Sequence, residues 1–180
     1  MILKNMQAVL DQANFTCSIF PASESSPLEQ LVVFAGLDQK EREKVIEIVA
    51  REQQFDPNML KEQLNDHYYR IQFAAKLPFE VEPLALNQTG SVILFLNQLM
   101  DWPGFELNEL TNQVSYRYNW LMKESALDSR LLMTIVGSIL LNLDMFSDTI
   151  EQIASGRSTF NELLESIVKF GQHIQKETGS

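Results

Sequence analysis

Along the third quarter of the chain the side chains alternate, with Val114, Tyr116, Tyr118 and Trp120 on one parity and Gln113, Ser115, Arg117 and Asn119 on the other. A period of two predicts a strand with one large apolar face. After a turn the spacing changes to three and four, through Leu131, Ile135, Ile139, Leu143, Phe146, Ile150 and Ile153, which predicts one helix over 127–154. At 1.5 Å per residue that helix is roughly 40 Å long. A second line, Leu132, Val136 and Leu140, widened by Leu141 and Met145, demands cover on more than one side. A sheet on one flank, with the C-terminal helix or a second subunit on the other, would supply it.

Upstream, Leu3, Met6, Val9, Leu10 and Ala13 mark an opening amphipathic helix. Phe15, Cys17 and Ile19 alternate as a half-buried strand, a Ser- and Pro-containing turn covers 21–27, and Leu31–Ala35 is a short apolar strand, so the two predict a hairpin. Asp38 with Glu41 reads as the cap of a helix over Lys40–Gln53 that buries Val45, Ile48 and Val49 and exposes Glu43, Glu47 and Arg51. Residues 55–64 form a short helix or an irregular link. Tyr69, Ile71, Phe73, Ala75, Leu77, Phe79 and Val81 then share one parity of the longest strand, with Pro78 on the other, a position tolerated at an edge or bulge.

A helix over about 90–100 presents Val92, Phe95, Leu96 and Leu99, and Phe105-Glu106-Leu107 leads towards the aromatic strand. Gly156 is placed to end the long helix, and Thr159 with Glu162 makes a capping box for the last one, which buries Phe160, Leu163, Leu164, Ile167, Val168 and Ile174. Helices mixed with hairpin-like strands, without regular alternation, predict an α+β fold with an antiparallel sheet packed against helices. The expected organisation is a single domain over 1–175 and a disordered tail over 176–180.

Size and charge narrow the picture. A chain of 180 residues can bury roughly 70% of the surface its unfolded form exposes, so it needs no metal or disulfide to fold. A net charge of −10 with a pI near 4.6 argues against nucleic acid and against anionic membrane surfaces. The one cysteine, Cys17, cannot pair within the chain, which favours a reducing, cytoplasmic setting. The run Leu131–Leu141 is broken by Thr134, Gly137 and Ser138 and is too short to span a bilayer.

Candidate chemistry is sparse. Cys17 lies on the apolar parity of a strand and reads as a small hydrophobe. His67, beside Asp66, and His173 are far apart and give no metal-ligand spacing, and the seven glycines form no phosphate-binding loop. Asp144 and Asp148 could share a patch for a basic partner, although solvated helix faces are the plainer reading of the carboxylates. Arg117, between Tyr116 and Tyr118, either pairs across the sheet or anchors a partner's carbonyl or carboxylate.

The sequence Val114-Ser115-Tyr116-Arg117-Tyr118-Asn119-Trp120, with the helix from Leu127 carrying Asp144, Met145 and Phe146 near its end, resembles the YbjN-type family of bacterial sensory transduction regulators. The strand Tyr69–Phe79, Leu96-Asn97 and Gly104-Phe105-Glu106-Leu107 extend the resemblance over about Phe15 to Gly156. It implies the type III secretion chaperone fold, often dimeric, with no active site and no cofactor. The helix Phe160–Ile174 lies beyond that pattern and could cover a patch that a chaperone leaves open. The expected role is a non-enzymatic, cytoplasmic protein-binding or regulatory module, with Tyr116, Arg117, Tyr118, Trp120 and Leu140 as partner-binding candidates and a homodimer as one arrangement. A dedicated secretion chaperone for an extended client is one alternative, and a small enzyme with a site near His67 is another.

Overall fold

The computed structural model describes residues 2–24, 26–54 and 67–178, and the link or helix expected over 55–64 lies outside them. The elements are α1 (Ile2–Gln12), β1 (Thr16–Phe20), β2 (Gln30–Leu37), β3 (Glu43–Gln53), β4 (Tyr68–Glu80), α2 (Leu86–Leu99), β5 (Phe105–Asn108), β6 (Gln113–Lys123), α3 (Ser129–Ala154) and α4 (Phe160–Thr178). The fold is α+β, as the sequence predicts, with one six-stranded antiparallel sheet in the order β1-β2-β3-β4-β6-β5. Two compact units divide the chain, Met1–Pro78 with Ser115–Asp144 and Phe79–Val114 with Met145–Ser180.

In the first unit the expected helix over Lys40–Gln53 is instead β3, antiparallel to both β2 and β4. Val45, Ile46, Ile48 and Val49 are β-branched, stiff at χ1 and better suited to a pleated surface than to a helix interior. Ile46 and Ile48 are fully buried while Val45, Glu47 and Val49 are half-buried on the opposite side. Asp38 caps no helix. Its Oδ1 accepts from the backbone N–H groups of Lys40 (2.8 Å) and Arg42 (2.9 Å), and Glu41 at φ 59° closes the β2–β3 turn.

The core of this unit is one face of the sheet. Leu31, Val33, Ile46, Ile48, Ile71, Phe73, Ala75, Leu77 and Tyr116 are buried, together with Met6 and Leu10 of α1 and Leu132, Ile135, Val136 and Ile139 of α3. Leu131, expected in the stripe, is 40% exposed. Asn142 Nδ2 of α3 donates to the Tyr116 hydroxyl (3.1 Å), and Lys44 pairs with Asp144 (2.6 Å). Pro78 lies beyond Ala74, the last β4 residue paired to β3, so its missing N–H interrupts nothing there.

The second unit packs α2 against β5 and the start of α4. Val92, Ile93, Leu96, Phe105, Ile150, Ile153 and Ala154 are buried, and the Phe105 and Phe146 rings meet edge to face at 6.2 Å. Asn97 fixes the chain entering β5, accepting from the N–H groups of Gly104 and Phe105 and donating to the Phe105 carbonyl. Leu99, expected inside, is 62% exposed at the last residue of α2.

Gly156 takes φ +67° and ends α3, and the capping box is present: Thr159 Oγ1 accepts from the Glu162 N–H (3.2 Å) while Glu162 Oε2 accepts from the Thr159 N–H (2.8 Å). Among the described side chains of α4 the apolar stripe is covered only at its start. Phe160, Leu163 and Leu164 are half-buried, with the Phe160 ring against Phe95 (5.7 Å). Ile167 and Val168, expected inside, are 44% and 58% exposed. The side chain of Ile174 lies outside the described residues.

Candidate functional site

Successive side chains of a strand point to opposite faces, so β1–β4 present a second face whose residues follow from the register. Thr16, Phe34 and Val45 make one row, Ser18, Val32, Glu47 and Ala74 the next, and Phe20, Gln30, Val49 and Gln72 the third. Arg51 then lies directly opposite Arg70, and Gln53 opposite Tyr68. On this outer face no residue of β2, β3 or β4 is buried. Val32, Phe34, Val45 and Val49 are half-buried, and Phe20 is 52% exposed at the end of the third row. The result is an apolar strip across three strands, interrupted by Gln30 and Glu47, with Arg51 and Arg70 at one end.

The five residues expected to bind a partner do not share one surface. Tyr116 is 1% exposed, and its phenol is pushed up chiefly by burial, against the opposing effect of the Asn142 hydrogen bond. Tyr118 is half-buried on the same face of β6, its ring 6.3 Å from that of Phe73, and Trp120 is half-buried two residues on. Arg117 alternates to the outer side and is exposed. Leu140 is half-buried on α3.

The remaining candidate groups are placed as follows. Cys17 is half-buried opposite Val33, and burial together with Asp11 pushes its thiol up to about 11, which keeps it a thiol. His67 Nδ1 lies 2.6 Å from Glu52 Oε1, with both side chains more than half exposed. Glu52 faces Tyr69 across β3–β4, and burial first, then Glu124 and Glu52, raise the Tyr69 phenol. Among the described residues no three His, Cys, Asp or Glu side chains could hold a metal ion. An open hollow of about 410 Å³ runs beside Leu164, Val168 and Gln172 of α4.

α3 is long and apolar enough to cross a membrane by length and composition. The argument from a short apolar run therefore does not hold for the whole helix. Its stripe of Leu132, Ile135, Val136 and Ile139 is buried within the fold, while only 28% of its most apolar stretch is buried.

Compared with protein-family models and with curated proteins, the chain has no match. The outer face is hidden in the sequence because its centre, β3, carries charges at Glu43, Glu47 and Arg51 spaced as on a helix. The density of β-branched residues over 45–49 was the signal that could have found it.

Proposed function

We propose that this chain is a non-enzymatic, cytoplasmic protein-binding or regulatory module of the YbjN-like kind, and that its partner docks on the outer face of β1–β4. One observation carries the reading: an apolar strip of Phe20, Val32, Phe34, Val45 and Val49 lies on a face where no residue of β2, β3 or β4 is buried. Apolar side chains left only half covered on one face of an acidic, charged chain favour a partner over bare solvent. The secretion-chaperone alternative would place an extended client along a strand edge. The two edge strands, β1 and β5, have five and four residues, and short edges are poor templates for strand addition. The face is therefore favoured over the edges.

The test is affinity capture with the wild type and with a Phe34→Ser, Val45→Ser variant, which alters one cross-strand row. A partner held stoichiometrically by the wild type and lost by the variant, at unchanged melting temperature, supports the reading. No partner, or one held equally by both, sinks it and moves attention to the Glu52–His67 pair as the start of an enzyme site.

A further inference from the structure

We infer that Arg51 and Arg70 form a carboxylate-binding subsite at the cationic end of the outer face, and that the protein segment docking there is acidic. This rests on the protein-binding reading above and adds the chemistry of the partner.

The argument begins with register. Arg51 and Arg70 are direct cross-strand partners, so their Cβ atoms lie about 5 Å apart, and like charges so placed are destabilising. The chain carries 24 acidic side chains against 14 basic ones, so acids to neutralise them are plentiful. Other cations have found theirs: Arg42 pairs with Asp38 (2.7 Å), Lys44 with Asp144 (2.6 Å) and Lys169 with Glu165 (3.6 Å). Among the described residues neither Arg51 nor Arg70 has a carboxylate within ion-pair distance, and both are exposed.

Among the described residues the adjoining β3–β4 pairs hold no acid either, with Val49 and Gln72 on one side and Gln53 and Tyr68 on the other. Glu47, on the same face, is four residues from Arg51 along β3, or about 13 Å. A guanidinium matches the planar, two-oxygen geometry of a carboxylate, and the register sets one on each of two neighbouring strands. Val49 and the strip beyond it offer apolar contact to the rest of a segment whose acids sit on the pair. A chain of net charge −10 repels acidic peptides in general, so any that bind must do so at a local positive spot.

The probe is a fluorescein-labelled octapeptide of alternating Glu and Val, followed by fluorescence anisotropy at low salt and at about 0.5 M salt, where screening is nearly complete. The wild type is expected to bind at low salt and to release at high salt. Arg70→Glu, which turns a like-charged pair into an opposite one, should melt no lower than the wild type and bind about tenfold more weakly or worse. Arg51→Gln is the milder second variant and should fall between the two.

No binding by the wild type overturns the inference, as does binding by both variants that is as tight as the wild type's. Displacement of the peptide by equimolar pyrophosphate would show a site for a small oxyanion and overturn it as well. Should the peptide fail while a captured partner still depends on Phe34 and Val45, the acidic-partner inference falls and the protein-binding reading stands.

Discussion

The two faces of β2, β3 and β4 are built from similar residues and have opposite fates. On one face Leu31, Val33, Ile46, Ile48, Ile71 and Phe73 are completely buried. On the other, Val32, Phe34, Val45, Val49 and Ala74 sit in the same strands, one residue out of step, and none is buried. Hydrophobicity alone does not separate them, since β2 is apolar on both parities through Leu31-Val32-Val33-Phe34. Cover does. The first face has the buried stripes of α1 and α3 to pack on, and the polar residues of the second, Gln30, Glu47, Arg51, Arg70 and Gln72, keep it compatible with water. A strand apolar on both parities ordinarily signals burial on both sides. Here the second parity is only half covered.

The largest expected effect tests that contrast directly. Phe73→Ala should cost about 3–5 kcal/mol, from lost transfer energy plus the cavity left in a close-packed face. Phe34→Ala, the same deletion on the outer face, should cost under about 1 kcal/mol, because water fills the space without penalty. Urea denaturation of the two variants gives the comparison. Equal costs would mean that the outer face is packed against something in solution and is no free surface.

A smaller effect is expected at the Tyr116 hydroxyl, which α3 reaches through Asn142. Tyr116→Phe removes the bond from Asn142 Nδ2 and leaves that amide half-buried without its acceptor. A loss of about 1 kcal/mol is expected in the same denaturation experiment. An unchanged or raised stability would show that the ring alone holds α3 to β6 and that the polar contact is incidental.

How far the sequence reaches follows from the same faces. Where one parity is apolar and the other polar, as in β4 and β6, alternation placed the strand and its buried side together. The stop at Gly156 and the Thr159–Glu162 box were legible because each motif is local and satisfies backbone groups whatever packs nearby. β3 was not. Its charges at Glu43, Glu47 and Arg51 recur every four residues and imitate the wet side of a helix, while Val45, Ile48 and Val49 imitate the dry side. Only its partners, β2 and β4, resolve the ambiguity, and pairing partners are not local information. The cost fell on the site, because Arg51 on a helix cannot be placed opposite Arg70. On α4 the error ran the other way: periodicity identified an apolar face at Ile167 and Val168 and could not say that it is left uncovered.

The smallest prediction concerns what decides which parity goes inside. A register slip of one residue between β2 and β3 would exchange the two faces, and the register already shifts between Phe34 and Leu37, where Gly36 takes φ +88°. The turn that follows is held by Asp38, whose carboxylate accepts from the N–H groups of Lys40 and Arg42 and from the Arg42 guanidinium. Burial alone would raise its pKa; the bonds from Arg42 and Lys40 outweigh burial and hold it below the ordinary 3.8. A carboxyl more acidic in the folded chain than in the unfolded one contributes stability that is full above the unfolded pKa and is lost as pH falls through the folded one. The wild type should therefore lose part of its stability below about pH 4. Asp38→Asn keeps an acceptor oxygen and removes the titration, so its stability should be lower near neutrality and less dependent on pH in that acid range. Urea midpoints at pH 7 and across the acid range decide the matter. Parallel pH profiles for the two proteins would show that the charge on Asp38 does not hold the turn, and that β-branched packing alone sets the register on which both faces depend.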